Sequence, residues 1–527
     1  MFGTFRAFTP NQSEVEEEMK LNQLTFAVLF VLGLSSLPAQ STDEVFARIN
    51  QEATQNSQVM RLAQGVVYNQ GPRTTGSADA YNAAEFIRQE LNNLGIKSWH
   101  SPWPGFGTSW SWKKSEVTLN REVLASIPYP WSPPTPHPLH GKLVYAPFPP
   151  VPNMSKLEEV FNNYFNEHRG KLQGSIILLT ETKAMPEDKR TNGILSDEVL
   201  SQLSLEAKPC PDFVPLDPTP QFTKEDFRRC LVAKATISTR VHMDRTNRQL
   251  TLRILKFLKE EGVIAGIRMN KKAGSVFYPA NVNSRQEEFA LPFPQVILEQ
   301  SAYLKLWSEP QGKVSVFVES QFLSNASTFN TFGEIPGTSN QKVIIGSHLD
   351  SIPYGEGAVD NGGNVATVME AMRILKTLGV QPKHSIVSAF WTGEEQHLLG
   401  SRAYAQEHKQ DLGNLRWYFN LDSGIGKIRG LNTFGRANMP HPTLETWLKV
   451  FKPENNAWLL RQRQGDGISD DETFHEAGVR SLEFVQDPTG YEEAAHTNGD
   501  TFSLLSKENM RYNAAYVAWV IWQAANE

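Results

Sequence analysis

The sequence predicts an α/β protein: a three-layer sandwich around a mostly parallel central sheet, with a separate α+β module inserted into it. From Val314 onward, short apolar runs alternate with helix-periodic stretches, the pattern of strands joined by crossover helices. Residues 113–310 differ in texture, with Pro-rich turns and short strand-like runs. The apolar runs of the C-terminal part nearly all lead into a His or an acidic residue. The organisation expected is an upstream extension and targeting segment over 1–40, a sandwich built from 41–112 together with 311–527, and an insert over 113–310.

Met19-Lys20 precedes the apolar run Leu24–Leu34 and the small-residue stretch Ser35–Gln40, the order of a secretory signal peptide. The run is shorter than the about 20 residues that a membrane span needs. Glu14, Glu16, Glu17 and Glu18 put negative charge where such signals are basic. The true start is therefore read as Met19, with 1–18 an over-extended reading frame. No other stretch reads as membrane-spanning. The expectation is a chain exported through this signal, periplasmic or secreted, with no stable membrane anchor afterwards; an uncleaved anchor is the alternative.

Residues 42–100 read as mainly helical. Ala83, Ala84, Ile87 and Leu91 fall at helical spacing within Ala80–Leu94, and Gly95 suits the stop. Gly71-Pro-Arg-Thr-Thr-Gly-Ser77 ahead of it is a turn-rich loop. In the insert, Lys142–Ala146, Ser175–Thr180 and Val263–Arg268 read as strands and Leu250–Glu261 as a helix. His137 and His140 sit among prolines and read as surface loop residues. Beyond the insert, Val343–Gly346, Ile386–Trp391, Trp417–Leu421 and Leu482–Val485 suit buried strands. Val365, Val368, Met369, Met372 and Leu375 make an amphipathic helical stripe, and Ala514–Ala525 closes the chain as a helix.

At about 150 residues per domain, 527 residues allow two to four units. A net charge of −6 lacks the basic footprint of a dedicated nucleic-acid binder, so no nucleic acid is expected as partner. Hydrophobic residues at 40% and charged residues at 20% fit a folded chain, not a disordered one. Two cysteines exclude a disulfide-dense scaffold and a four-Cys zinc ribbon. An exported compartment permits a disulfide between them, Cys210 and Cys230, which remain a candidate pair. Any metal must be held by His and carboxylates.

Residues able to hold one lie where α/β sheets collect ligands, at the carboxyl ends of strands. Val343–Gly346 leads into His348 and Asp350. Asp360 stands just before a helix, Ile386–Trp391 runs into Glu394-Glu395, and Trp417–Leu421 ends at Asp422. His496 lies in the loop after Leu482–Val485. Each feature alone is weak; five in order are hard to dismiss as accidental polar strand ends.

This series resembles the co-catalytic di-zinc exopeptidases, the aminopeptidase family, and within it the carboxypeptidase Q branch. The resemblance covers 60–110 and 311–527, including the loop Gly71–Ser77. The strand-like runs of the insert, with Leu291-Pro-Phe-Pro-Gln-Val-Ile297, resemble an inserted protease-associated domain, while about 182–245 matches nothing placed. The resemblance implies two Zn²⁺ ions bridged by Asp360, one also held by His348 and Asp422, the other by Glu395 and His496. Imidazole nitrogen and carboxylate oxygen suit zinc. It implies hydrolysis of dipeptides or of terminal residues of short peptides, by water held between the ions with Glu394 as general base. The Asp360–Asn361 peptide is cis in relatives, and family members often dimerise, which leaves a homodimer open.

Further roles are weighed residue by residue. Asp350 either accepts the remaining N–H of His348 or caps a loop. Asp500 resembles the aspartate after the family's last histidine, yet Asp500-Thr-Phe reads first as a helix N-cap. Ser469 and Glu472 have capping-box spacing, with Asp470 and Asp471 as first-turn acids, although the family often has a Ser-Asp pair here beside the active site. Tyr491 reads as an exposed loop aromatic, with hydrogen-bond donation to an oxyanion as the alternative. Arg73, Lys427 and Arg429 are candidates for holding a substrate carboxylate and otherwise ordinary surface residues; His397 and His475 read as surface residues. The competing functions are a single-zinc glutaminyl cyclase-like acyltransferase and a non-catalytic, receptor-like relative. None of the six metal-centre residues that the latter should have lost is missing.

Overall fold

The computed structural model describes residues 42–152, 154–182, 193–206, 236–270, 285–324, 326–462 and 468–527. The expected targeting segment over 1–40, Cys210 and Cys230 lie outside the described residues. Ile49–Glu527 form one compact unit, and Thr42–Arg48 belong to a separate one. Among the described residues, no helix is long and apolar enough to cross a membrane.

The strands described make two sheets of eight. The first runs from edge to edge through Lys97–Pro102, Phe329–Ile335, Ser385–Trp391, Lys342–His348, Leu415–Asn420, Ser481–Gln486, Ile428–Asn432 and Trp458–Leu460. Its centre is parallel: Lys342–His348 pairs with Ser385–Trp391 on one side and Leu415–Asn420 on the other, and Ser481–Gln486 follows in parallel. Ser385–Trp391 is buried at every position, and Lys342–His348 at all but its first. That explains why these strands read as continuous apolar runs. Phe329–Ile335, Lys97–Pro102 and Ile428–Asn432 join antiparallel to strands already in place.

Helix Gly363–Thr377 follows Asp360 after two intervening residues and lies against the sheet. The sequence predicts an amphipathic stripe here, but every residue from Gly363 to Leu375 is buried. It is packed between the central strands and the helices Val59–Ala63 and Lys507–Asn526, so no face meets solvent. Its charged pair stays satisfied, because the Arg373 guanidinium donates to Glu370 (2.8 Å) and to Glu52 (2.6 Å). The helix Ala78–Asn93 begins where Ser77 Oγ accepts from the Ala80 N–H and ends at Gly95, whose φ of +73° suits glycine.

The second sheet runs through Glu122–Leu124, Ser109–Leu119, Val314–Leu323, Leu139–Tyr145, Ser175–Leu178, Ala265–Met269, Gln295–Leu298 and Ser126–Pro128. Leu139–Tyr145, Ser175–Leu178, Ala265–Met269 and Gln295–Leu298 form a parallel core. Helices Leu157–His168 and Ile237–Glu260 cover it through Phe161, Tyr164, Leu255 and Leu258. Among the contacts that tie this layer to the part of the chain around the first sheet are two that involve apolar clusters. Ile352 and Tyr354, in the stretch between His348 and Asp360, are buried in this same cluster. Helix Asp197–Ser204 packs Leu200 with Leu195 against Leu460 and Val485, and Leu195 N–H donates to Asp487 (2.9 Å).

Candidate metal centre

Five side chains from five chain segments meet beyond the carboxyl ends of the parallel strands. His348 is the last residue of its strand, and Asp422 follows Leu415–Asn420 after one intervening residue. His348 Nε2 lies 3.1 Å from Asp360 Oδ1 and 3.1 Å from Asp422 Oδ1. On the other side of Asp360, His496 Nε2 lies 3.0 Å from Oδ2 and 3.0 Å from Glu395 Oε2. Two groups of three donors result, His348–Asp360–Asp422 and Asp360–Glu395–His496, each with its atoms within 4.8 Å of one another. Asp360 belongs to both, through a different oxygen in each. The Asp360–Asn361 peptide is cis, as the resemblance implied.

The chemistry of the donor set fits two cations. A single Nε2 proton cannot serve two carboxylates equally, yet each imidazole faces two. Glu395 Oε1 is buried without a hydrogen-bond partner, which is costly for a carboxylate unless a cation stands beside it. Nitrogen and oxygen donors of this kind suit zinc. Without a cation, protons take over part of its role. Burial would lower both histidines, but the surrounding carboxylates, Asp422 and Glu394 for His348 and Glu395 and Asp360 for His496, hold them well above the ordinary imidazole range. Burial would raise Asp360, and hydrogen bonds from both histidines hold it below the usual carboxylate range instead.

Glu394 belongs to neither group. Partly exposed, it is raised well above the ordinary carboxyl range by burial, with the charges of Asp422, Asp470 and Glu395 adding to the effect and His348 opposing it. The turn after Trp391, with Gly393 at φ +79°, carries both Glu394 and Glu395. Asp350 fixes that turn: Oδ1 accepts from the Glu394 N–H (3.2 Å) and Oδ2 from the Glu395 N–H (3.3 Å). The nearest acceptor for His348 Nδ1 is the Asp350 backbone carbonyl at 2.9 Å, with the Asp350 carboxylate at 3.7 Å.

Several sequence expectations are corrected here. Asp500 does not cap the short helix after it, Phe502–Leu504, whose N-cap position is Thr501; its carboxylate accepts from the backbone N–H of Val359 (2.6 Å) and of Asp360 (3.0 Å). Burial pushes it up to about 7, against the pull of those two N–H groups. Ser469 makes no capping bond. Its hydroxyl donates to Asp422 (2.5 Å) and accepts from Asn420 (2.9 Å). Asp470 and Asp471 do stand in the first turn of Asp470–Glu476, but both are fully buried, and burial pushes Asp470 up to about 8. Tyr491 is no exposed aromatic: its hydroxyl reaches Asp360 Oδ2 at 3.5 Å, and burial keeps that hydroxyl protonated well past its usual range. His397 faces Asp244 of helix Ile237–Glu260 at 3.4 Å. Arg429 is buried against Asp487 (3.1 Å), and Lys427 pairs with Glu454 (3.2 Å). Arg73 is wholly buried.

Residues 330–521 match peptidase family M28. Carboxypeptidase Q from Bos taurus is 32% identical over 199 residues, 37% of this chain and 41% of that protein. The chain thus spans about two fifths of that relative's length. Among solved structures, a peptidase M28 precursor from Shewanella amazonensis superposes with a TM-score of 0.63 at 20% identity, covering 92% of this chain and 98% of the other. The zinc aminopeptidase BSAP from Bacillus subtilis gives 0.57 at 20% identity, over 89% and 94%. At these identities the superpositions show the fold.

Proposed function

We propose, from a chain that carries a peptidase family M28 domain over residues 330–521, that it is an exported zinc exopeptidase acting on dipeptides or on the terminal residues of short peptides. The observation that carries this reading is the shared Asp360, one oxygen toward His348 and the other toward His496, beside a carboxyl, Glu394, that joins neither group. His348 and Asp422 would hold one zinc, Glu395 and His496 the other, and Asp360 both. Two zinc ions, when bound, polarise a carbonyl and acidify water at neutral pH.

The chain's own groups do the rest. A Glu394 carboxylate oxygen takes the proton of the attacking water and returns it to the nitrogen of the departing amine, so no net proton is consumed in the cleavage. The Tyr491 hydroxyl donates to the scissile oxygen as charge develops on it. The insert over 113–310 acts as a protease-associated-like lid, resting on the stretch that carries Ile352 and Tyr354 and on the Asp244–His397 contact. Such a roof restricts substrates to short peptides.

The test is a panel of dipeptides with free and blocked ends, assayed with metal analysis before and after chelation. Two zinc ions per chain and cleavage that disappears on blocking one end are expected. Full activity after thorough chelation sinks the proposal, and a single zinc turns it toward the cyclase-like alternative.

A further inference from the structure

The loop Gly71–Ser77 supplies no metal donor, yet it touches the segments that carry four of the centre's residues. The Arg73 guanidinium, with no exposed surface, donates from Nε to the Leu349 carbonyl (2.8 Å), from Nη1 to Glu356 (2.7 Å) and from Nη2 to Gly357 (2.7 Å). All three carbonyls belong to the stretch that joins His348 to Asp360. The Arg73 backbone N–H donates to Ser351 Oγ of that stretch (3.0 Å), and the Ser351 N–H returns to the Arg73 carbonyl (3.3 Å). The fit leaves no slack. A Cβ on Gly357 would stand 2.9 Å from Nη2, and one on Gly362 the same distance.

Two residues on, Thr75 Oγ1 donates to Asp350 Oδ2 (2.9 Å) and accepts from the Gly393 N–H (3.0 Å). The same Asp350 carboxylate receives the Glu394 and Glu395 N–H groups. Arg73 therefore spans the connection between one histidine and the shared aspartate, and Thr75 ties that connection to the Glu394–Glu395 turn. A planar fork with fixed donors can hold three carbonyls at set positions, which a lysine point charge cannot. Burial lowers Arg73 to about 10, still charged at neutral pH, and the carboxylates of Asp500, Asp350, Asp360 and Glu395 favour that charge.

We propose that Arg73 and Thr75 are positioning residues for the metal pair, setting the spacing of the His348, Asp360 and Glu395 donors so that both ions bind at once. This rests on the two-zinc reading above. Groups that orient metal ligands typically change metal affinity about tenfold to a hundredfold when removed.

The experiment measures zinc stoichiometry and affinity by chelator competition, and the visible spectrum of the cobalt-loaded protein, for the whole chain and for Arg73→Lys, Thr75→Val and Thr75→Ser. Expected are a second metal equivalent weakened about tenfold or more in Arg73→Lys and Thr75→Val, an altered cobalt spectrum in both, and restoration by Thr75→Ser. Catalysis should fall in kcat with KM little changed. If Arg73→Lys does not fold, the Thr75 pair decides. Folded variants that bind both equivalents as tightly as the unaltered chain, with an unaltered spectrum, overturn the inference. An unaltered chain that binds fewer than two zinc ions overturns the two-zinc reading instead.

Discussion

His496 Nε2 stands 3.0 Å from Asp360 Oδ2, although one residue precedes a central helix and the other follows the last strand of the parallel core. Asp360 meets His348 through its other oxygen, so its carboxylate joins the two halves of the centre. Substitution of the carboxyl that stands outside both halves should leave the metal set intact. Glu394→Gln is expected to retain two zinc ions while kcat falls by about 10²–10⁴. Steady-state kinetics beside metal analysis check this, and a variant with unchanged kcat would remove Glu394 from proton transfer.

Zinc binding should release protons. In the metal-free chain both His348 and His496 are held well above the ordinary imidazole range, so a metal must displace a proton from each. Affinity then rises with pH, by about tenfold per pH unit for each proton displaced. The metal-free fold runs the opposite way. A raised imidazole contributes stability that is fully present below about 6.5 and is lost as pH climbs through its folded value. Calorimetry in buffers of different ionisation enthalpy gives the proton count, and a count of zero contradicts the assignment.

Chelation should cost thermal stability. Each site, at free zinc a hundredfold above its dissociation constant, adds about 2.7 kcal/mol to the folded state. A melting temperature that does not move on removal of metal, in a chain shown to have carried it, argues against sites built only in the folded state.

Asp500→Ala should destabilise the chain by about 1–3 kcal/mol, because it leaves the buried Val359 and Asp360 N–H groups without their acceptor. Denaturant unfolding measures this. A variant as stable as the parent would show that these two groups find another partner.

The central strands and the residues beyond them were readable because buried parallel strands are continuous apolar runs and their ends are where ligands gather. Val343–Gly346 and Ile386–Trp391 lie inside the strands Lys342–His348 and Ser385–Trp391. The antiparallel partners were not readable. Ser109–Leu119 is largely polar, and Phe329–Ile335 mixes Asn, Thr, Gly and Glu with its apolar residues. Their pairing is decided by distant neighbours. Arg73 and Asp500 were misread for a related reason. A charged residue in a turn-rich loop looks solvated until the carbonyls or N–H groups that receive it are brought in from elsewhere in the chain. Ser469 shows the same ambiguity, since capping and binding a buried carboxylate demand the same hydroxyl.

The stretch between His348 and Asp360 belongs to two interiors at once. Ile352 and Tyr354 sit in the cluster under the second sheet, while the Leu349, Glu356 and Gly357 carbonyls are held by Arg73. A chimera that exchanges the second sheet, cut before Ser109 and after Leu323, would therefore strand Tyr354 against a foreign surface. A transplant of the upper layer has to bring residues 351–354 along, or redesign them, if the recipient is to keep its centre in register.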